Sequence, residues 1–261
     1  MSKQTILITG ASSGIGAELA RQHANKDAHL IITGRSAERL AKVADAAAAL
    51  GAQVTAKTID VADRMAMATW LAEIDKENPI DLVYANAGIA DGVRRRAYEP
   101  EEVSRALFDI NLYGVMNTIY PLLPCMQSRG RGQIAIISSL AGYGAVASTP
   151  GYSGSKAAVR IWGESMRFGV ERLGIGMTVV CPGFIKTPMT NGNRFPMPFL
   201  LNLHQAVRVI RKGVAANRRR VAFPWPLACL TWFLHALHPA WSESLLRRTL
   251  PKMSEGTRLT D

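Results

Sequence analysis

Cysteine is scarce and unpatterned in this chain. Its three copies, Cys125, Cys181 and Cys229, are far apart and odd in number, so they make neither a disulfide framework nor a CxxC metal or redox pair. Histidine is nearly as sparse, with five residues and neither an HExxH nor a paired ligand spacing, and no metal is expected. Acidic residues are few as well: 20 Asp+Glu stand against 31 Lys+Arg, a formal charge of +11. Such an excess attracts polyanions in general and does not by itself choose among nucleic acid, anionic membrane and phosphorylated ligand. No nucleic-acid-reading motif is visible, and the arginine clusters sit beside apolar stretches rather than on a polar helix face, so nucleic acid is not an expected partner. The chain opens Met-Ser-Lys-Gln and runs at once into the apolar segment Thr5–Thr9, too short for a signal-peptide core and without a cleavage-like site. No targeting segment is expected, and unpaired cysteines fit a reducing, cytoplasmic setting.

The 261 residues are 48% hydrophobic and 20% charged, the balance of a globular chain able to bury one sizeable core. Runs at Ile6–Thr9, His29–Thr33, Val54–Ile59, Leu82–Ala85, Gln133–Ser138, Met177–Cys181 and Val221–Phe223 read as strands. Several are apolar nearly throughout, as strands buried on both faces are. Helical patterns fall between them, at Gly14–Ala24, Ala37–Leu50, Arg64–Lys76, Pro100–Gln127, Gly151–Leu173 and Leu203–Asn217. The alternation predicts an α/β fold, a doubly wound parallel seven-stranded sheet with helices on both faces. No repeat or long linker interrupts it, so residues 1–223 are expected to form one domain and 224–261 a C-terminal extension.

The first strand runs into Thr9-Gly10-Ala11-Ser12-Ser13-Gly14-Ile15-Gly16, where a helix begins. Glycines at such a turn let the backbone approach a pyrophosphate, which then meets the free N–H groups of the helix start. Glycine marks turns everywhere, and this cluster gains weight from its place after the first buried strand. Its Gly-x-x-x-Gly-x-Gly spacing resembles the cofactor turn of the short-chain dehydrogenase/reductase family. The resemblance implies a Rossmann-like fold with Gly10, Ser12, Ser13, Gly14, Ile15 and Gly16 around a nicotinamide dinucleotide. At the end of the second strand stands Gly34-Arg35. NAD-preferring folds place an acid here for the ribose hydroxyls, whereas an arginine accommodates a 2′-phosphate. Gly34 removes the acid and Arg35 can grip phosphate through two N–H groups, so NADP(H) is expected over NAD(H). The plainer reading of Arg35 is a solvated turn residue.

Further segments resemble the family in the expected order. Asp60-Val61 is similar to its adenine-contacting pair, and Asn86-Ala87-Gly88 to the motif that steadies the sheet beside the cofactor, which implicates Asn86 and Gly88. Pro182-Gly183, with Ile185 and Thr187, resembles the segment whose backbone and hydroxyl meet the nicotinamide carboxamide.

Tyr152 and Lys156 are four apart and share one face of a helix. That pair is common by chance; Ser139, 13 residues before Tyr152 at a strand end, and the N-terminal turn make the match specific over about residues 5–190. Reducing a ketone requires a hydride on carbon and a proton on oxygen. An ordinary tyrosine, with a pKa near ~10, is a reluctant acid/base partner at neutral pH. The Lys156 ammonium is expected to stabilise the tyrosinate and draw that value down. The resemblance further implies that Lys156 holds the nicotinamide ribose and that Ser139 hydrogen-bonds the substrate carbonyl. It makes Asn111 a fourth catalytic residue, holding a water that passes protons toward Lys156; alone, Asn111 also reads as a helix-interior polar residue bonding locally. Spacing sets Ser138 aside, and Tyr143 is expected as a pocket wall.

The segment Met189–Leu201 carries Phe195, Pro196, Met197, Pro198, Phe199, Leu200 and Leu201. An apolar, proline-stiffened lid suggests a hydrophobic substrate; ordinary packing on the domain is the alternative. From Val221 to Leu237 there is no Asp, Glu, Lys or Arg, with Arg218-Arg219-Arg220 before it and Arg247-Arg248 after. The run is short for spanning a bilayer, which takes about 20 apolar residues. It fits an interfacial helix on anionic lipid, or else a subunit interface or pocket cover. The triplet Arg94–Arg96 reads as a solvated charge run, with an anionic head group as the rival reading.

The expectation is therefore an NADP(H)-dependent oxidoreductase interconverting a carbonyl and a secondary alcohol. Its substrate would be a small hydrophobic molecule, lipid- or steroid-like. The resemblance implies a homodimer or higher homo-oligomer pairing through the helices of Asn111 and Tyr152, unless the extension blocks or replaces a further interface; the expected place is the cytoplasm, peripheral on the inner face of a membrane. The competing reading is a non-enzymatic NADP(H)-sensing membrane or interaction protein, against which the intact Ser139, Tyr152 and Lys156 stand.

Overall fold

The structure, a computed structural model, describes residues 3–91, 98–145, 149–191 and 196–237. The arginine triplet at 94–96, Phe195 of the lid and the pair Arg247-Arg248 lie outside them. The apolar runs become strands β1 (Gln4–Ile8), β2 (Ala28–Gly34), β3 (Gln53–Thr58), β4 (Leu82–Ala85), β5 (Gly132–Ile137), β6 (Ile175–Pro182) and β7 (Arg220–Phe223). All seven pair in parallel in the order β3-β2-β1-β4-β5-β6-β7.

Every residue of β2 and β6 is buried because helices cover both faces of the sheet. One layer holds α1 (Gly14–His23), α2 (Ala37–Ala49) and α8 (Leu203–Ala215); the other holds α3 (Arg64–Glu77), α5 (Gly114–Ile119), α6 (Leu123–Arg129) and α7 (Pro150–Val170). Successive strand residues point to opposite faces, so Ile6, Ile8, Leu30 and Ile32 meet the first layer while Leu7, Ile31 and Val83 meet the second. The chain leaves β1 for β2 on one side and returns to β4 on the other. The loops after β1 and β4 therefore part at the carboxyl edge, where such sheets bind ligands.

The expected single helix over Pro100–Gln127 is instead broken. It comprises α4 (Glu101–Phe108), a wide π-helical turn at Asp109–Tyr113, then α5 and α6. Pro121 has no N–H to extend the α5 ladder, and Pro124 sits in the first turn of α6, where none is needed. The π turn carries Asn111 into the interior, fully buried. After β7 comes α9 (Trp225–Ala236), whose Leu227 and Ala228 pack on Leu140, Val179 and Cys181. Among the described residues no helix is long and apolar enough to cross a membrane.

Candidate active site

The glycine turn after β1 is held by the end of β4. The Thr9 hydroxyl accepts the backbone N–H groups of Asn86 (3.0 Å) and Ala87 (3.1 Å), and the Asn86 amide donates to the carbonyls of Thr9 (2.8 Å) and Gly10 (3.2 Å). Gly10 has φ +66°, and a Cβ there would lie 2.7 Å from Ala87 Cα, so only glycine fits. Gly16 stands behind the turn, where a Cβ would lie 2.7 Å from the Asn86 amide nitrogen. The Ser13 N-cap of α1 makes no side-chain cap bond, which leaves the first N–H groups of that helix available to an anion.

These residues open on a cleft of about 360 Å³. Gly10, Ser12, Ser13, Gly14 and Ile15 line it near the α1 start, with Gly34, Arg35, Asp60, Val61, Asn86 and Gly88 around them. Pro182, Gly183, Ile185 and Thr187 form the wall on the β6 side. Of the expected cofactor residues only Gly16 does not reach the cleft itself. Several lining residues escaped the sequence reading, Arg39 and Thr33 among them. Arg39, four residues after Arg35, lines the same end, and its spacing was the available signal. Thr33 lines it too; its hydroxyl is buried and has no hydrogen-bond partner among the described residues. An orphan hydroxyl, a glycine cradle and an uncapped helix start together fit a dinucleotide. Thr190 pins the β6-side wall, accepting the Thr187 N–H at 3.0 Å and donating to the Ile185 carbonyl at 2.7 Å.

At the other end stand Ser139, Tyr152 and Lys156. Ser139 follows β5, and Tyr152 and Lys156 are one turn apart on α7. The Ser139 hydroxyl accepts the Ala141 N–H at 3.1 Å and stands near enough to the Tyr152 phenol to act on its ionisation. The neighbouring Ser138 hydroxyl donates to the Lys156 carbonyl at 2.8 Å and so braces α7 on β5. Lys156 Nζ donates to the Ile137 carbonyl at 2.9 Å, a backbone partner with no sequence signal, and lies 6.0 Å from the centre of the Tyr152 ring. Asn111 is one layer back: its amide accepts from Ile89 N–H (2.9 Å) and donates to Ile89 C=O (3.0 Å) and Ser155 Oγ (3.1 Å). Gly88 separates Asn111 from Lys156, since a Cβ there would lie 3.0 Å from Asn111 Oδ1 and 3.2 Å from Lys156 Nζ. Tyr143 lines a separate recess with Arg160, Arg220, Trp232 and Ala236.

Burial dominates the ionisation of the pair. It lowers Lys156 to about 8, because an ammonium loses hydration in the interior. The expected depression of Tyr152 is not found. Burial pushes its phenol above the ordinary value, and the neighbouring Ser139 hydroxyl offsets this only in part. The Lys156 charge, turned toward a backbone carbonyl, does not overcome the desolvation of a phenolate.

The fold agrees with the comparisons to known proteins. The family model for short chain dehydrogenases matches residues 4–196. An oxidoreductase of Myxococcus xanthus is 36% identical over 249 residues, covering 95% of this chain and 98% of that protein. The ketoacyl reductase HetN of Nostoc sp. is 33% identical over 222 residues, 84% of this chain and 77% of that one. Among solved structures, an actinorhodin polyketide ketoreductase variant with NADPH superposes with a TM-score of 0.77 at 23% identity, over 87% of this chain and 99% of that one. A short chain dehydrogenase from Mycobacterium paratuberculosis bound to NAD gives 0.77 at 20% identity, over 87% and 98%. The chain belongs to the short-chain dehydrogenase/reductase family and is an oxidoreductase using a nicotinamide nucleotide.

Proposed function

We propose that this enzyme interconverts a carbonyl and a secondary alcohol on a small apolar substrate, with NADP(H) as cofactor and Tyr152 as the acid/base. The observation that carries this reading is one cleft with Ser139, Tyr152 and Lys156 at one end and Arg35 and Arg39 at the other, with glycine where an acid would select NAD(H). The cofactor, when bound, supplies or accepts the hydride. Ser139 and Tyr152 present two hydroxyls to the carbonyl oxygen and stabilise the charge that develops there. Tyr152 then gives its proton to that oxygen. Lys156, fixed by the Ile137 carbonyl, keeps positive charge beneath the phenol at neutral pH. Asn111 holds Ile89 and Ser155 in place and lies on the path by which protons would reach Lys156. Burial raises the Tyr152 phenol above its ordinary value, so the group stands as a proton donor toward the carbonyl oxygen.

The apolar substrate is supported by Ile89, Ile110, Ile185 and Met189 in the cleft wall. A keto group matches the names of HetN and of the polyketide ketoreductase. Exposed Tyr113, Tyr120, Ile161 and Phe168 support pairing of subunits through the helices around Asn111 and on α7. The uncharged helix beside the cationic residues 218–220 supports a peripheral position on the inner, anionic face of a membrane. The test is NADPH oxidation by the purified protein against long-chain and steroidal ketones, with Tyr152→Phe as control. Turnover lost in that variant with cofactor affinity retained is the expected result. Tight NADPH binding with no carbonyl reduced, and a variant indistinguishable from the parent, would refute the reaction.

A further inference from the structure

We propose that the outer face of α9 docks on an anionic phospholipid bilayer, and that the recess at the end of this helix seats a lipid phosphate. This rests on the peripheral position read above and names the surface responsible. α9 contains no Asp, Glu, Lys or Arg over its 12 residues. One side buries Leu227 and Ala228. On the other, Trp225 is 74% exposed, Trp232 60%, Phe233 57% and Leu230 52%. A helix that is apolar all round is normally covered all round, and tryptophan favours the boundary between hydrocarbon and water.

Charge decides what covers it. The chain carries +11, and Arg218, Arg219 and Arg220 are exposed at the start of β7. Arg220 meets the last turn of α9 in a recess of about 210 Å³, lined also by Tyr143, Arg160, Trp232 and Ala236. The guanidiniums of Arg160 and Arg220 lie 5.0 and 5.5 Å from the centre of the Tyr143 ring. They share one carboxylate, Glu164, at 3.3 Å from Arg160 and 2.5 and 2.7 Å from Arg220, so one positive charge is in excess. A second copy would bring another chain of +11 against this cationic cluster; bilayer phosphates neutralise it. The inner face of α9 meanwhile reaches the catalytic end. Leu227 packs on Leu140, the residue after Ser139, and a Cβ on Gly183 would lie 2.9 Å from Leu227 Cδ2. Docking through α9 therefore brings the cleft to the surface from which an apolar carbonyl compound is drawn.

The experiment is co-sedimentation of the full chain with vesicles of phosphatidylcholine alone or mixed with phosphatidylglycerol, read without substrate. Binding to the mixed vesicles only, weakened by salt, is expected. Trp225→Ser/Trp232→Ser should lower it by ~10-fold or more, and Arg218→Gln/Arg219→Gln by about 5-fold per arginine. Glu164→Gln, which frees both guanidiniums, should strengthen it. NADPH affinity of each variant checks that it has folded. Equal binding to neutral vesicles, no binding, or an unaffected tryptophan variant overturns the docking surface. A tryptophan variant that changes oligomeric state, from a parent that ignores vesicles, assigns the face to a second copy and also overturns it. Docking with no response to Glu164→Gln overturns the recess as the phosphate seat. A chain that docks but reduces no carbonyl fails the catalytic reading and leaves this one standing.

Discussion

The proposed selection of NADPH over NADH is open to a quantitative test at two arginines. Arg35 follows β2 and Arg39 lies in the first turn of α2, whose N-cap is Ser36; both line one end of the cleft. A hydrogen bond to a charged group contributes about 1.5–3 kcal/mol, and both side chains are exposed, where screening favours the low end. About 1.5 kcal/mol corresponds to a ~10-fold loss of NADPH affinity for Arg35→Gln or Arg39→Gln. The double variant should lose less than ~100-fold, since neighbouring charges on one phosphate are not additive. NADH affinity should not change. The assay is the KM for each cofactor in parent and variants, at low and raised salt. Installing the acid that NAD-selective folds use is harder, because a Cβ at Gly34 would lie 3.0 Å from Ser12 Cβ and 3.1 Å from its hydroxyl. Gly34→Asp alone should disturb the phosphate turn and weaken both cofactors, whereas with Ser12→Gly it should turn preference toward NADH. An NADPH-to-NADH ratio unaltered in Arg35→Gln/Arg39→Gln would refute a 2′-phosphate at this end.

Three other outcomes follow from the same side chains. Burial and the nearby Arg211 lower His23 from 6.5 to about 3, and its Nε2 lies 2.9 Å from the Tyr84 hydroxyl. Because the folded value is the lower one, this stability is present above pH 6.5 and is lost as pH falls toward 3, up to roughly 5 kcal/mol. His23→Gln should flatten the fall of the urea midpoint over that range; parallel curves would sink the idea. Lys156, at about 8, should impose a loss of kcat for carbonyl reduction above that pH, and a profile level up to ~10 would show that its charge is not used. Gly151 donates its N–H to Glu99 (2.9 Å), which also accepts from Ser104 Oγ (2.6 Å). A Cβ on Gly151 would collide with that carboxylate and lie 3.0 Å from Leu107 Cδ1, so Gly151→Ala should cost about 1–3 kcal/mol. It should also lower kcat through its neighbour Tyr152; an unchanged melting temperature and rate would contradict this.

Much of this molecule is written locally. Parallel strands buried on both faces must be apolar along their whole length, which is why β2 and β6 stand out as uninterrupted runs. The turn after β1 needs glycine where Gly10 takes a positive φ against Ala87, so its spacing is legible before any contact is known. Tyr152 and Lys156 are read together because helical periodicity sets them on one face. Even the break between α5 and α6 was in view, since Pro121 and Pro124 mark it, although the apolar pattern across Pro100–Gln127 concealed it.

Packing decided the rest. Hydration is lost only in the folded interior, so no local pattern could foretell that burial would raise Tyr152 and lower Lys156. The Ile137 carbonyl that holds Lys156 is a backbone atom common to every residue type. The orphan Thr33 hydroxyl, the Glu99 brace on α7 and the Arg160–Tyr143–Arg220 stack join residues far apart in the chain. The sequence by itself determined the sheet, the glycine turn after β1 and the pairing of Tyr152 with Lys156 on one helix face, because these rest on short-range geometry and periodicity. Tertiary structure alone decided their ionisation, their backbone anchors and which face of α9 remained open, because those depend on what the chain brings alongside.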